Sequence, residues 1–289
     1  MNYLLHILIM INIYMILALS LNLLVGYTGM LSLSHAAFYG IGAYISTLLI
    51  MQKGIGFIPA FLLAIAGTTL LSFIISIPSL RLKGDYFVLA SLGFQIIIFT
   101  ILYNWVGLTR GPYGIPGIPR PNLFGIEIDS ILSYFIFSGI IAAFCIIFLY
   151  LIGDSPFGRV LKAIREDEIA AAALGKNIVR FKIIAFAIAA GFASVSGVLF
   201  AGYMRYIDPT SFTLMESIFI VSIIIIGGTG NISGPLVGTA LMIILPEILR
   251  FLRIPDAIAA NMRQIIYGLL IIVILRHKPQ GFSGEYRFE

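Results

Sequence analysis

Ser32, Ser34 and His35 form a local grouping of side chains that could serve as a nucleophile and a base. A serine nucleophile needs an adjacent base, and that base needs a third group that orients it. No third group can be recognised in the sequence around these residues. We therefore predict that His35 is packed in the core or lines a cavity, rather than acting in catalysis.

Sequence motifs of catalysis and metal binding are absent from the chain. There is no Gly-x-x-x-x-Gly-Lys-Ser/Thr phosphate loop, no His-Glu-x-x-His and no Gly-x-Ser-x-Gly. The three histidines are scattered, and the single cysteine, Cys145, lies in an apolar run. We predict a protein without catalytic residues, a cofactor or a bound metal.

Ionisable residues are few inside the apolar stretches, where a charge suggests function by default. Glu216 lies at the start of its stretch, and we predict that it reaches the membrane interface. Glu247 precedes Arg250 by three residues, so the two can pair on a helix. Structural pairing is thus favoured for both acids. The sequence contains neither a regular arginine ladder nor a central chain of acids.

The residues from Asp154 to Lys182, here called the charged segment, hold ten of the 31 Lys, Arg, Asp and Glu residues of the chain. Pro156 and Gly158 are predicted to end the preceding apolar helix, and 159–165 is predicted to form a short helix. On that helix Lys162 could pair with Glu166, four positions on, and Arg165 with Glu168, three positions on. A segment this polar between apolar stretches must lie in water.

A second short helix is predicted over the alanines from Ala170 to Ala173. The acids at 166–168 would offset the positive N-terminal end of this helix, and alanine is the best helix former. Gly175 is placed to end the helix as the residue after its cap. The small side chains would allow another protein to approach closely. The alternative is an ordinary solvated amphipathic loop.

The elements that must position these residues are membrane spans. Hydrophobic residues make up 60% of the chain and charged residues 11%, and the mean hydropathy is +1.05. Soluble domains carry about 25% charged residues. The apolar runs lack period-two alternation, which favours helices over a β-barrel. We predict an all-α, polytopic integral membrane protein with about 8–10 transmembrane helices, forming a single domain over 1–289.

The apolar windows lie at 3–25, 31–52, 57–80, 86–104, 130–152, 183–204, 214–230, 235–252 and 263–276. The first is predicted to be a retained span rather than a cleaved signal peptide. Residues 26–45 are rich in Gly and Ser and could be a spanning or a re-entrant element. An excess of Lys and Arg in cytoplasmic loops explains the net charge of +5 without a nucleic-acid partner.

Alternation of the spans, with 153–182 in the cytoplasm, places the N-terminus outside and the C-terminus inside. It divides Lys and Arg into eleven inside and seven outside, in line with the positive-inside rule. Residues 105–129 then form an external loop. Its core, 107–121, is dense in Gly and Pro, which predicts neither a helix nor a membrane crossing. The loop could receive a substrate-delivery protein, or it could simply connect two spans.

Two segments, Gly26–Ser32 and Gly227–Ser233, share the pattern Gly-x-Thr-Gly-x-x-Ser. Each follows one apolar stretch and precedes another. Gly-interrupted segments at corresponding places can mark the broken helices of transporters, whose freed backbone groups line a polar cavity. The alternative is a chance match between two ordinary turns.

The charged segment resembles the cytoplasmic loop of the permease subunits of ABC importers, whose pattern is Glu-Ala-Ala, three residues and Gly. Ala170, Ala171 and Gly175 fit that spacing, whereas Ile169 stands where the Glu would be and Glu168 lies one position early. The chain as a whole resembles the LivM-type permeases of branched-chain amino acid importers. The matching regions are 26–29 with 32–35, 81–87, 108–115, 158–175, and 227–230 through 234–235.

The resemblance implies the non-catalytic translocation subunit of an ATP-driven importer for leucine, isoleucine and valine, in the cell membrane. Its implied partners are a second permease subunit, two cytoplasmic ATP-binding subunits, an extracytoplasmic substrate-binding protein and a small-molecule substrate. The residues implied in ATPase coupling are Arg165, Glu166, Asp167, Glu168, Ala170, Ala171 and Gly175. The candidates for the translocation pathway are Ser32, Ser34, His35, Thr229 and Asn231.

Three alternatives stay open on the sequence. Related permeases carry urea or short amides. A secondary transporter or channel would favour an ion-binding or proton-relay group deep in the membrane, but the acids lie near predicted span ends. A membrane-embedded enzyme would need a nucleophile or metal constellation.

Overall fold

The chain folds into α-helices over the residues that the structure, a computed structural model, describes: 2–79, 82, 84–123, 125–251, 256–278 and 280–283. Nine helices of at least 14 residues lie in these ranges. They are α1 (Asn2–Thr28), α2 (His35–Lys53), α3 (Phe57–Ser79), α4 (Asp85–Asn104), α6 (Ile131–Asp154), α9 (Ile178–Met204), α10 (Leu214–Gly227), α11 (Ser233–Phe251) and α12 (Asp256–His277). Shorter helices are α5 (Val106–Thr109), α7 (Pro156–Glu166) and α8 (Glu168–Ala173).

The nine long helices coincide with the nine apolar windows. Five of them, α1, α3, α4, α6 and α9, are long and apolar enough to cross a membrane, and α10 is a shorter apolar helix. α2 has 19 residues, about 28 Å at 1.5 Å per residue, close to the thickness of a bilayer core. Residues 26–45 are therefore a helix break over 29–34 followed by a long helix. The protein is an all-α, multi-pass membrane protein.

The core forms where α2 and α9 pack against α1. These three helices are buried on all sides over much of their length, as expected for helices that are apolar all round. Glycines let the backbones of α2 and α9 approach closely. A Cβ atom on Gly42 would lie 2.6 Å from Cα of Ser194, and one on Gly197 would lie 2.0 Å from the carbonyl oxygen of Tyr39. Small residues at helix contacts are typical of membrane proteins.

The predicted external loop, 105–129, is structured. Its strand β1 (Ile115–Pro116) pairs antiparallel with β4 (Tyr206–Ile207), and β2 (Asn122–Leu123) pairs with β3 (Ile126–Glu127). The prediction that this composition forms no helix is wrong, since α5 and a 3₁₀ turn at Gly111–Tyr113 lie here. α5 ends before Arg110 and the 3₁₀ turn ends before Gly114, because the φ values of these two residues, 60° and 67°, stop a right-handed helix.

The loop 105–129 and the charged segment lie at different ends of the helix bundle. At one end the first turns of α1 meet the end of α9, where His6 Nδ1 lies 2.7 Å from the Tyr203 hydroxyl. The loop 105–129 lies at this end through β1 and β4. At the other end the charged segment meets the end of α1, and residues 282–283 meet the end of α10. The predicted external loop and the charged segment thus lie at opposite ends.

The prediction that Glu216 reaches an interface is wrong. Tyr14, in the middle of α1, donates a hydrogen bond of 2.5 Å to Glu216 Oε1. Tyr14 lies 12 residues, or about 18 Å, from the start of α1, so Glu216, in the first turn of α10, lies beside the middle of α1. Glu216 lies this deep because the preceding 3₁₀ turn enters the core, where Phe212 packs 5.0 Å from the ring of Tyr39.

Some of the residues used in the sequence analysis fall outside the described parts of the structure. The predicted pairing of Glu247 with Arg250 involves a side chain that the structure does not describe. Four of the basic residues counted for orientation lie outside the described ranges altogether: Arg81, Lys83, Arg253 and Arg287.

Candidate functional site: the charged segment and two helix breaks

The first helix of the charged segment, α7, begins at Pro156, three residues earlier than predicted. Proline is well suited to the first helical position, because its missing N–H would be unpaired there in any case. The Ser155 hydroxyl caps the helix by accepting a hydrogen bond of 3.2 Å from the Gly158 N–H. Leu161 and Ile164 are buried, so one face of α7 is fixed against the rest of the protein.

The second helix, α8, runs from Glu168 to Ala173, so it begins two residues before the predicted alanine run and ends at the predicted stop signal. The Asp167 carboxylate accepts hydrogen bonds from the N–H groups of Ile169 and Ala170, at 2.8 and 3.1 Å. Gly175 has a φ of 76°, and its N–H donates to the Ala172 carbonyl at 2.9 Å. The prediction of a short helix that ends at Gly175 is confirmed. Both ends of α8 are capped, which makes the helix rigid despite its six residues.

The two faces of α8 differ in exposure. Ala171 is 3% exposed and packs against the chain itself, whereas Ala170 is exposed. Ile169 and Leu174, next to the alanine run, are 79% and 78% exposed. Of the two alanines predicted to couple to an ATPase, only Ala170 is therefore accessible to another protein. The outward face also presents the apolar side chains of Ile169 and Leu174, which the Glu-Ala-Ala…Gly pattern does not specify.

The predicted pairing of Lys162 with Glu166 is wrong. The Lys162 ammonium lies over the ring of Tyr27, 5.1 Å from its centroid. Tyr27 belongs to the last turn of α1, so Lys162 turns toward α1 and away from the solvent. A cation over a tyrosine ring is an attractive contact, and here it joins the charged segment to the end of α1.

The predicted pairing of Arg165 with Glu168 is wrong as well. Asp167 has extended backbone angles, φ −156° and ψ 109°, so the helix is interrupted between the two residues and they do not share a face. Arg165 pairs instead with Glu166 at 2.5 Å. Glu168 pairs with Lys182, at the start of α9. The second ion pair connects α8 to a membrane-crossing helix.

The first break, residues 29–34, starts where α1 ends. Gly29 has a φ of 71°, and the Met30 N–H donates to the Leu24 carbonyl at 3.2 Å. The Arg165 guanidinium donates to the Gly26 carbonyl through Nη1 at 2.5 Å. The last carbonyls of a helix lack intrahelical partners and carry negative partial charge, which a cation stabilises. Arg165 therefore caps α1 from the charged segment.

The second break, residues 228–232, likewise follows a helix whose last carbonyls are bonded by a distant part of the chain. α10 ends at Gly227, and Gly228 and Gly230 have φ values of 103° and 93°. The free carbonyls of Ile226 and Gly227 accept hydrogen bonds from the N–H groups of residues 282 and 283, at 3.1 and 2.9 Å. A segment that follows α12 thus caps α10, as the charged segment caps α1.

Asn22 joins the two breaks. Its Oδ1 accepts a hydrogen bond of 3.1 Å from the Gly230 N–H, and its Nδ2 donates to the Asn231 carbonyl at 2.7 Å. A Cβ atom on Gly26 would lie 2.5 Å from the Gly230 nitrogen, so the two Gly-Thr-Gly segments touch. This contact supports the broken-helix interpretation. The sequence analysis missed Asn22, although an amide in an apolar helix, four residues before Gly26, is a recognisable signal.

The first break leads into the N-terminus of α2, whose free N–H groups are also satisfied by side chains. The Ala36 N–H donates to Ser217 Oγ at 3.0 Å, and the Ala37 N–H donates to Gln95 Oε1 at 2.7 Å. Ser217 belongs to α10 and Gln95 to α4. These two residues were not identified from sequence, because uncharged polar side chains in apolar helices carry no motif.

The five pathway candidates lie in or beside the two breaks: Ser32, Ser34, His35, Thr229 and Asn231. The two serine hydroxyls are 2.9 Å apart, and both serines, His35 and Thr229 are buried. The Asn231 amide donates to the Ser283 carbonyl and accepts from the Gly234 N–H. Neither of the two pockets described below is lined by any of the five.

These features define a class: a polytopic membrane permease with paired helix breaks and a capped helix exposed at one end. Residues 3–275 match the family described as the permease component of the branched-chain amino acid transport system. The chain belongs to that family.

Curated relatives agree with the family assignment. The chain is 35% identical to the high-affinity branched-chain amino acid transport permease LivM of Salmonella typhimurium, over 94% of this chain and 68% of that protein. It is 26% identical to a probable LivM of Methanocaldococcus jannaschii, over 96% and 92%. It is 25% identical to the Escherichia coli permease LivH, again over 96% and 92%. No solved structure matches the chain.

We predict that Asn22→Leu destabilises the protein, because the Gly230 N–H and the Asn231 carbonyl lose their partner while buried. Such a loss costs about 1–3 kcal/mol, which should lower the midpoint of unfolding in a titration with denaturing detergent. Asn104→Leu is the matched control, since the exposed Asn104 amide bonds only to a carbonyl of its own helix. Equal midpoints for both variants would contradict the role given to Asn22.

Proposed function

We propose that the chain is the translocation subunit of an ATP-driven importer for branched-chain amino acids. The observation that carries this proposal is the connection of the exposed helix α8, through α7 and Arg165, to the end of α1. A helix of this kind gives a soluble partner a rigid point of attachment. Membership of a branched-chain amino acid permease family supports the substrate class.

The proposed complex contains a second permease subunit, two cytoplasmic ATP-binding subunits and an extracytoplasmic substrate-binding protein. ATP hydrolysis belongs to the ATP-binding subunits, since this sequence has no phosphate loop. Ile169, Ala170 and Leu174 are the residues proposed to enter an ATPase groove. The binding protein would dock on the loop 105–129, which β1 and β4 tie to residues 206–207.

The mechanism follows from the contacts at the charged segment. When the ATPases close, α8 moves with them and carries α7, which is only one residue away. Arg165 passes the movement to the end of α1, and Asn22 passes it to the second break. The helices then tilt between outward and inward access as rigid bodies joined at the two breaks. Substrate need not touch the charged segment.

The substrate assignment rests on the relatives. The names of the LivM and LivH relatives refer to branched-chain amino acid transport, and they do not refer to urea or amides. A more distant relative, 24% identical over 69% of this chain, is an autoinducer 2 import permease. Branched-chain amino acids are therefore the favoured substrates, and urea or short amides are not.

The exposed apolar side chains of α8 give the most direct test of this function. Ile169→Glu and Leu174→Glu place charges where the proposal requires burial against an ATPase. Losing an apolar anchor at an interface costs roughly 2 kcal/mol, so copurification of the ATPase subunits should fall about tenfold or more. Val179→Glu, an exposed apolar position at the start of α9, is the control. Undiminished copurification in both α8 variants would contradict the proposal.

The orientation proposed for the chain has the charged segment in the cytoplasm, the N-terminus outside and the C-terminus inside the cell membrane. Single cysteines can replace the exposed residues Tyr113 and Lys176 in a Cys145→Ala chain, which has no other thiol. A membrane-impermeant thiol reagent should label position 113 in intact cells and position 176 only after lysis. Labelling of position 176 but not of position 113 in intact cells would contradict this orientation.

A further inference from the structure

A half-open pocket of about 490 Å³ lies between α1, α10 and α12, away from the two breaks. Its polar lining comes from Tyr14, Thr213, Glu216, Ser222 and Tyr267. Its apolar lining comes from Met215, Ile218, Phe219 and Ile271. The pocket therefore combines one carboxylate, several hydroxyls and an aliphatic and aromatic wall.

The position of Glu216 makes this carboxylate unusual. It lies beside the middle of α1, where an ionisable side chain is costly and marks a functional site by default. Among the side chains that the structure describes, the ion pairs made by Lys and Arg are Arg165–Glu166 and Lys182–Glu168. Glu216 is in neither pair, and its described hydrogen bond is the one from Tyr14. A cationic ligand would complement this carboxylate.

We propose that this pocket binds the transported amino acid, with the Glu216 carboxylate receiving its ammonium group. Tyr14 holds the carboxylate in place through its hydroxyl. The Thr213 hydroxyl can donate to the substrate carboxylate from the pocket lining, and Phe219 and Ile271 face the aliphatic side chain. This inference rests on the proposed import function and names the substrate site within it.

A second pocket differs from the Glu216 pocket in having no charged group suited to an amino acid. It is a groove of about 590 Å³ between α3, α6 and α9, lined by aliphatic and aromatic side chains such as Phe61, Ile140 and Phe192. It contains no charged side chain that could orient a zwitterion, and it suits lipid chains. The rim of the Glu216 pocket is exposed, since Met215 is 61% exposed. A substrate could enter there from a cavity shared with the second permease subunit.

The test uses the complete transporter in proteoliposomes, with the binding protein, and measures leucine uptake per ATP hydrolysed. In Glu216→Gln the carboxylate charge is lost at nearly constant shape. Uptake should fall about tenfold or more, because hydrogen bonds to charged groups are the strong ones. ATP hydrolysis stimulated by the loaded binding protein should persist. Tyr14→Phe keeps the carboxylate, so uptake per ATP should fall less than in Glu216→Gln.

Wild-type uptake per ATP in Glu216→Gln would overturn the assignment of the pocket. If Glu216→Gln and Tyr14→Phe lost thermal stability equally and uptake per ATP were unchanged, the Tyr14–Glu216 hydrogen bond would have only a structural role and the proposal would be wrong. A wild-type complex without ATP-driven uptake would instead contradict the import function itself.

A second measurement covers the case in which Glu216→Gln does not assemble. In a Cys145→Ala chain, Ser222→Cys places a thiol on the pocket wall. Leucine, delivered by the binding protein, should slow its modification by a small maleimide at least severalfold. A modification rate that leucine leaves unchanged would overturn the proposal.

Discussion

The need to satisfy every backbone polar group in a membrane shapes the two helix breaks of this protein. A helix interrupted within a bilayer protein frees carbonyl and N–H groups that no water reaches, at a cost of several kcal/mol each. The two breaks therefore recruit partners from distant parts of the chain. Arg165, Asn22 and residues 282–283 cover the ends of α1 and α10, and Ser217 and Gln95 cover the start of α2.

This constraint also explains how a surface helix can influence the membrane core. Each partner that satisfies a break is also a mechanical connection, because moving it would expose a buried polar group. The charged segment is connected to α1 through Arg165 and the ring of Tyr27, and to α9 through the pair of Glu168 with Lys182. Asn22 then couples the first break to the second. Two discrete arrangements of such contacts are what a switch between outward and inward access requires.

Local signals in the sequence were sufficient for the nine long helices and for the end of α8. The acids at 166–168, the alanine run and Gly175 identify α8 because helix propensity and capping depend on neighbouring residues, and the apolar windows identify the nine long helices. Long-range contacts could not be predicted in this way. The sequence places Glu216 near an interface, since the entry of Phe212 into the core leaves no local signature. The spacing of Arg165 and Glu168 likewise suggests a pair on one continuous helix. The extended backbone of Asp167, which caps α8, interrupts that helix, and the spacing alone does not reveal the interruption.

The central claim is that Arg165 transmits movement from the ATPase side to the helix breaks. The most direct measurement compares Arg165→Ala with Arg180→Ala, an exposed arginine of α9, in reconstituted transporter with its ATPases and binding protein. The account predicts that Arg165→Ala keeps its ATPases and their basal hydrolysis. It should lose both stimulation by the loaded binding protein and leucine uptake, while Arg180→Ala keeps them. Normal stimulation and uptake in Arg165→Ala would contradict the account.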